Sequence, residues 1–507
     1  MGDREGTAEK KAQESVLYDD WMSDSDALMW HIERDPLLRS TALAVWVLDR
    51  EPDPERFGVT MARTLAQVPR LGQRVVEDPL GVAAPRWETD PLFELDYHVR
   101  RLRVPGEGGL RELLDYAEPV GMQAFDKDRP LWEMHCVEGL QGGRYGVVFK
   151  IHHAMSDGVG MVRMMEGLVE LSGDEGEAEA SRDGSRKARK NGADQAARDL
   201  ARKRESSPHQ FGDSAQEAQG AGEIAHLGEA VMHRASIALE RSRRAAAALG
   251  RGITHFAGHP LSTAGDLVET LESLARMVRP VSEPMSPIWR HRSLGLRLDV
   301  LEFPVADLKR ARETVGGTMN DIFVAAVAGG LSRYHVAVGR PARSLRMTMP
   351  INIRRGEKGS HAGNQFVPAR FGVPMDILDP RERVRAVHAI VRGQREEPAL
   401  GFIEEISAAI NVLGEAASTR VTGAMMKAVD FVTSDVTGPG FPVFMSGARI
   451  ERMFPFGPTA GAAVNVTLFS YDGIAHVGIS SNAGAIADRV LLRACIEESF
   501  AEVLGIC

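Results

Sequence analysis

Two adjacent histidines, His152 and His153, end the mostly apolar run Val147 to Ile151, and Asp157 and Gly158 complete the stretch HHAMSDG. Three chemistries use these residue types. A histidine with an ordinary pKa of about 6.5 accepts a proton near neutral pH. At a strand end facing a cleft, His153 can therefore deprotonate an alcohol as that alcohol attacks an acyl carbon, while Asp157 shapes the loop and neutralises a cation from elsewhere. Histidine and aspartate are also metal-ligand types, but successive strand residues point to opposite faces, so His152 and His153 do not share one ion. HExxH spacing is absent and no cysteine cluster lies nearby. In the third reading the pair is structural, with Asp157 capping the next helix and Gly158 serving a tight turn. A covalent acyl-enzyme is not indicated: the chain has no GxSxG elbow, and Cys136, Cys495 and Cys507 are isolated from one another. Direct transfer between two bound substrates is the simpler scheme.

The elements that must position these residues follow from periodicity. YGVVFKI (145–151) is β-rich and VGMVRMMEGLVEL after Gly158 has helical spacing, so the motif sits on a strand–turn–helix unit. TALAVWVLD (41–49) reads as a buried strand. PERFGVTMARTLAQV (54–68) places Phe57, Met61 and Leu65 on one helix face, with Pro54 at its opening. From Ser293 onward, strand-like runs (SLGLRLDVLEF, SLRMTMPINI, QFVPARFGV, AAVNVTLFSY, IAHVGIS) are mixed with helical ones such as NDIFVAAVAGGLSRYH and DRVLLRACIEESFAEVLG. Strands and helices mixed in both halves predict an α/β fold of two similar-sized units.

The predicted organisation is a disordered tail over 1–15, an N-terminal domain over 16–171, a charged low-complexity linker over 172–222, a helical connector over 223–284 and a C-terminal domain over 285–507. The linker has almost no large apolar residue and cannot bury a core. The connector is amphipathic: Leu267, Leu271, Leu274 and Val278 form a stripe, and Arg241, Arg243 and Arg244 lie late in its first helix. Such helices either pack on the body or lie on a lipid surface.

Composition narrows the partners. The formal charge is -9 over 507 residues, which provides no basic body for nucleic acid. Three widely spaced cysteines fit a reducing cytosol. The polar start MGDREGTAEKKAQE carries no apolar signal segment, and no apolar run reaches the ~20 residues that span a bilayer.

HHAMSDG matches the HHxxxDG signature of coenzyme A-dependent acyltransferases and of the condensation domains of nonribosomal peptide synthetases. Further segments resemble one branch, the bacterial wax ester synthase/diacylglycerol acyltransferase family. They are MSDSDALMWHIE (22–33), the Pro130-Leu131-Trp132 motif, TMNDIFVAAVAGGLSRY (318–334) with Asn320-Asp321, RMTMPINIR with GNQF, SDVTGPG (434–440) and SYDGIAHVGISSNAGAIAD (470–488). The resemblance covers roughly 20–170 and 285–505. The chain departs from the family where an Asn-Val-Pro-Gly-Pro-like block is usual, carrying Asp435-Val436-Thr437-Gly438-Pro439, and in the length of its charged insert.

The resemblance implies two chloramphenicol acetyltransferase-like domains with mixed sheets and a tunnel between them. His153 is then the general base, Asp157 organises the loop, and His152 packs or orients. Asn320 is either a polar site contact from the second domain or a helix cap, and Asp321 is structural. Pro130, Leu131 and Trp132 pack. A long-chain acyl-CoA is the implied donor and cosubstrate, with diacylglycerol or a long-chain alcohol as acceptor and no metal or other cofactor. The implied location is cytoplasmic, peripheral to the inner membrane face or lipid bodies. Two alternatives are a condensation-type acyltransferase using carrier-bound acyl groups and a noncatalytic lipid-body-binding relative.

Overall fold

The computed structural model describes residues 17–77, 84–156, 158–173, 283–352, 361–362, 366–395 and 415–506. The tail, most of the 172–222 insert, the connector up to residue 282 and Asp157 lie outside the described residues.

In chain order the first half gives β1 (Leu17–Tyr18), α1 (Asp24–Ile32), β2 (Thr41–Leu48), α2 (Pro54–Gln67), β3 (Gln73–Val76), β4 (Arg86–Thr89), α3 (Leu95–His98), β5 (Val99–Arg103), α4 (Leu110–Met122), β6 (Trp132–Glu138), β7 (Tyr145–His152) and α5 (Gly158–Glu166). The second half gives β8 (Leu296–Pro304), α6 (Val305–Val315), α7 (Met319–Ala337), β9 (Ser344–Asn352), β10 (His361–Ala362), β11 (Phe366–Pro374), α8 (Pro380–Arg395), α9 (Glu415–Lys427), β12 (Phe431–Thr437), β13 (Phe444–Met445), β14 (Ala448–Phe456), β15 (Val464–Tyr471), β16 (Ile474–Asn482) and α10 (Arg489–Leu504).

Two six-stranded mixed sheets carry the molecule, ordered β13-β14-β2-β7-β6-β5 and β11-β9-β12-β15-β16-β8. The first is completed by the second half of the chain: β14 pairs antiparallel with β2, opposing Phe454 to Val45 and Phe456 to Leu43. The two halves therefore share a hydrogen-bonded sheet.

The continuous apolar run of β2 follows from burial on both faces. Ala42, Trp46 and Leu48 enter one core with α2, whereas Leu43, Val45 and Val47 enter another with α4 and with Leu298 of the second half. β7 divides in the same way, with Val147, Phe149 and Ile151 toward the first core and Val148 toward the second. Alternation along the strand places Lys150 and His152 on the Val148 side.

A third core surrounds α7, whose residues Ile322 to Leu331 are all buried. A helix apolar all round must be enclosed. Gly330 permits this closeness, because a Cβ there would stand 2.5 Å from Ile496 Cα of α10. Among the described residues, no helix is long and apolar enough to cross a membrane.

Candidate active site

The histidine pair ends β7, and His153–Met155 forms a single 3₁₀ turn before α5. Both histidine backbones are clamped. His152 N–H donates to Leu131 C=O at 3.0 Å, and His153 N–H donates to Ser40 C=O at 2.8 Å. These two acceptors flank the strand end on either side, so the turn is fixed before any side chain acts.

The Pro130-Leu131-Trp132 segment supplies one of them. Leu131 and Trp132 are fully buried. The Trp132 indole N–H donates to Leu71 C=O at 2.8 Å, and its ring stacks on His98 with centroids 4.6 Å apart. Packing thus holds a backbone carbonyl in place for His152.

His152 is buried, at 1% exposure. Its Nδ1 accepts the Ala154 N–H at 3.0 Å, and its Nε2 lies 2.9 Å from Glu33 Oε1. An imidazole whose Nδ1 accepts carries its proton on Nε2, against the carboxylate. Trp30 and Phe125 meet the ring edge-on at centroid distances of 5.9 and 6.0 Å. The Nδ1 of His152 is therefore committed to the backbone and its Nε2 stands at ion-pair distance from Glu33 without an aligned hydrogen bond, and the residue braces the 3₁₀ turn from within.

Glu33 terminates α1 as its C-cap residue. Its Oε1 also accepts the Ser40 N–H at 2.5 Å. One carboxylate oxygen thus holds His152 by its ring and Ser40 by its backbone, and Ser40 in turn holds His153. Burial works against the Glu33 charge, but His152, the Ser40 N–H and Lys127 outweigh it and hold the pKa below the usual glutamate value. Glu33 lies inside the quoted segment 22–33, yet nothing local in the sequence marks its role. Its partner is over a hundred residues away, and only the pairing of β2 with β7, which opposes Thr41 to His152, brings the two together.

His153 is half-buried on this scaffold. Of the other candidate residues, Asp157 lies outside the described residues. Asn320 occupies the first turn of α7, but the cap is Thr318, which forms a reciprocal capping box with Asp321. Asp321 also receives His388 Nδ1 at 2.8 Å, so it is committed to structure. The Asn320 amide donates to Met349 Sδ at 3.5 Å, and the described contacts do not join it to the histidine turn.

A second buried network lies one rung along β7. Lys150 Nζ donates to Glu133 Oε1 at 3.1 Å, and Glu133 Oε2 lies 3.1 Å from His135 Nε2. His135 Nδ1 meets the Tyr116 hydroxyl at 2.6 Å. Burial would raise the Glu133 pKa, but the bonds from His135 and Lys150 hold it down to about 2. Burial lowers Lys150 despite Glu133, so the pair is not a net gain from both sides. Among the described residues, no three His, Cys, Asp or Glu side chains cluster as metal ligands.

Comparison with known proteins places this site in context. The model of the wax ester synthase/diacylglycerol acyltransferase catalytic domain matches residues 22–323, and that of the WS/DGAT C-terminal domain matches 362–503. A protein of Mycobacterium tuberculosis H37Rv named for diacyglycerol O-acyltransferase activity is 33% identical over 498 residues, spanning 97% of this chain and 93% of its own length. Another protein of that species (strain CDC 1551), named as the acyltransferase tgs1, is 25% identical over 485 residues, spanning 94% of this chain and 93% of its own.

Among solved structures, the wax ester synthase/diacylglycerol acyltransferase from Marinobacter aquaeolei VT8 superposes with a TM-score of 0.60 at 18% identity, covering 96% of this chain and 98% of that one. The first condensation domain of the calcium-dependent antibiotic synthetase gives 0.56 at 16%, covering 96% and 95%. These two likenesses establish the fold, two chloramphenicol acetyltransferase-like halves. With family models across both halves and a clamped HHxxxDG turn at the end of β7, the chain belongs to the wax ester synthase/diacylglycerol acyltransferase family of acyltransferases.

Proposed function

We propose that this acyltransferase moves a long-chain acyl group from a coenzyme A thioester to the hydroxyl of diacylglycerol, giving triacylglycerol, or of a long-chain alcohol, giving a wax ester. His153 acts as general base. It takes the hydroxyl proton as the oxygen bonds to the thioester carbon, and it returns a proton to the coenzyme A sulfur as the C–S bond breaks. The scheme uses no metal or prosthetic group.

The observation that carries this assignment is the commitment of His152 to the turn. Its Nδ1 is taken by the Ala154 N–H and its ring is buried, so His152 serves the turn, and the base is assigned to the half-buried His153 of HHxxxDG. General-base assistance is worth ~10²–10⁴ in rate, and positioning of the two substrates with oxyanion stabilisation supplies the rest. Asp157 organises the loop between His153 and α5.

Apolar walls select acyl chains weakly, since one methylene is worth ~1–3 kcal/mol, which supports use of both acceptor classes. Insoluble acceptors require the enzyme to work at a cytoplasmic membrane face or lipid-body surface.

The test offers purified protein palmitoyl-CoA or palmitoyl-acyl carrier protein as donor, each with dioleoylglycerol or hexadecanol. Ester formation from palmitoyl-CoA is expected. Turnover from the carrier-bound donor alone would replace this reading with a condensation-type reaction. No ester from any pair in dispersed lipid would replace it with a noncatalytic lipid-binding role.

A further inference from the structure

The loop over residues 123–131 joins α4 to β6 and ends in the Leu131 carbonyl that holds His152. Gln123, Ala124, Asp126, Lys127 and Asp128 are exposed on it, while Phe125 is half-buried. Surface loops are ordinarily more mobile than the elements they join. This one is tied at both ends. The Arg39 guanidinium donates to Met122 C=O at 2.5 Å just before it, and Arg129 near its end stands 3.4 Å from the Asp90 carboxylate.

Its middle is tied twice more, and both ties lead to the His152 ring. Phe125 meets that ring at 73° with centroids 6.0 Å apart, and the Lys150 ammonium sits over the Phe125 face, 4.2 Å from its centre. Trp30 of α1 meets the same ring at 70° and 5.9 Å, and the Lys127 ammonium sits over the Trp30 face at 4.0 Å. The loop thus gives the ring to one pair and the cation to the other. Lys150 is fully buried and lies two residues before His152 on β7, hence on the same face of the strand. A buried ammonium, even a paired one, is a costlier way to fill a core than an apolar side chain. What a lysine does here that an apolar residue could not is attract the face of Phe125, a contact worth most where water is excluded.

We propose that residues 123–131 form a positioning strap for the catalytic turn, in which Lys150 and Phe125 are the positioning pair that fixes the His152 ring and, through it, His153. Lys127 on Trp30 is the second tie. The strap acts through His152, whose Nδ1 holds the Ala154 N–H of the 3₁₀ turn. Its effect on rate rests on the assignment of His153 as base. Its hold on the turn does not, and the two are measured separately.

The test pairs amide hydrogen exchange with steady-state kinetics on the full chain, using palmitoyl-CoA and dioleoylglycerol. Lys150→Met leaves Glu133 with His135 at 3.1 Å and Arg100 at 3.7 Å, so no buried charge is stranded. Phe125→Leu, at a half-buried loop position, carries the test if Lys150→Met does not fold, which thermal melting checks. In either variant the peptide spanning 150–156 should exchange ~2–30-fold faster, the worth of one cation–π pair. The kcat should fall ~10-fold, inside the ~10² that a 1 Å displacement costs, with KM little changed. Phe125→Tyr keeps the ring and should restore both. The double variant should lose no more than the worse single one, because either change breaks the same contact. Tyr116→Phe removes the hydroxyl at the far end of the Lys150 network, away from Phe125, and should leave both readouts at the wild-type level. Unchanged exchange in Lys150→Met and Phe125→Leu would overturn the strap. Faster exchange with wild-type kcat, or an equal loss in Tyr116→Phe, would overturn its positioning role. A wild type that forms no ester would strike the His153 assignment instead, and exchange alone would then decide the strap.

Discussion

Replacing Glu33 tests how the histidine turn is held. In Glu33→Ala the buried Ser40 N–H loses a charged acceptor at 2.5 Å and His152 Nε2 loses an ion-pair partner at 2.9 Å. Hydrogen bonds to charged groups are worth ~1.5–3 kcal/mol, and the two share one oxygen, so the loss is about 3 kcal/mol. Glu33→Gln can keep an oxygen at that point and loses only the charge, which costs about 1 kcal/mol. Because Ser40 C=O also holds His153, the alanine variant lets the base drift, and a displacement near 1 Å costs ~10² in rate.

The sign of the pH dependence follows from the lowered Glu33 pKa. The stabilisation is present above the ordinary value of 4.5 and is lost as pH falls through the lower folded value. Urea unfolding and kcat for dioleoylglycerol acylation should therefore show a deficit in the alanine variant at pH 7. The stability deficit should narrow below about pH 4.5, KM should change little, and the glutamine variant should recover most of both. An alanine variant with wild-type stability and kcat would refute the chain from Glu33 through Ser40 and His152 to His153.

Three further outcomes are expected. Glu133→Gln leaves the fully buried Lys150 ammonium uncompensated and should destabilise the protein by ~3–5 kcal/mol in denaturant titration; the wild-type contribution of Glu133 should fade only as pH falls from 4.5 toward about 2. Asp435 is exposed at the end of β12, and desolvation by the surrounding chain raises its pKa to about 6. Its ionisation is thus penalised in the folded state, so stability is lost as pH rises through about 6. Asp435→Asn should raise the Tm at pH 8, with the gain shrinking below pH 6; a pH-independent difference would contradict this. Gly478→Ala should destabilise by at least ~1–3 kcal/mol, because its Cβ would stand 1.7 Å from Pro455 O where the two sheets touch; an unchanged Tm would contradict that contact.

Local pattern carried much of the fold. The runs around 41–49, 145–151, 293–303 and 474–480 are strands, and the period-3.6 stretches at 54–67, 319–337 and 489–504 are helices. The strand–turn–helix setting of HHAMSDG was likewise legible, because β-rich and helical periods meet there.

What escaped the sequence was long-range. ARIERMFPF gives weak alternation and contains Pro455, and nothing local says that it pairs with a strand some four hundred residues earlier. Glu33 and Ser40 are ordinary residues whose role exists only once β2 lies beside β7. The capping box Thr318-x-x-Asp321 was readable as a helix start, and the neighbouring Asn320-Asp321 pair drew attention from Thr318. The Asp435 departure was visible, but the desolvation it meets depends on surroundings that composition does not encode.

The most direct test of the central claim is kcat/KM for palmitoyl transfer to dioleoylglycerol in His153→Ala against the wild type, with folding confirmed by melting. Direct transfer with His153 as base predicts a fall of ~10²–10⁴, carried by kcat with KM little changed. A folded variant within tenfold of the wild type would contradict it and place the base elsewhere.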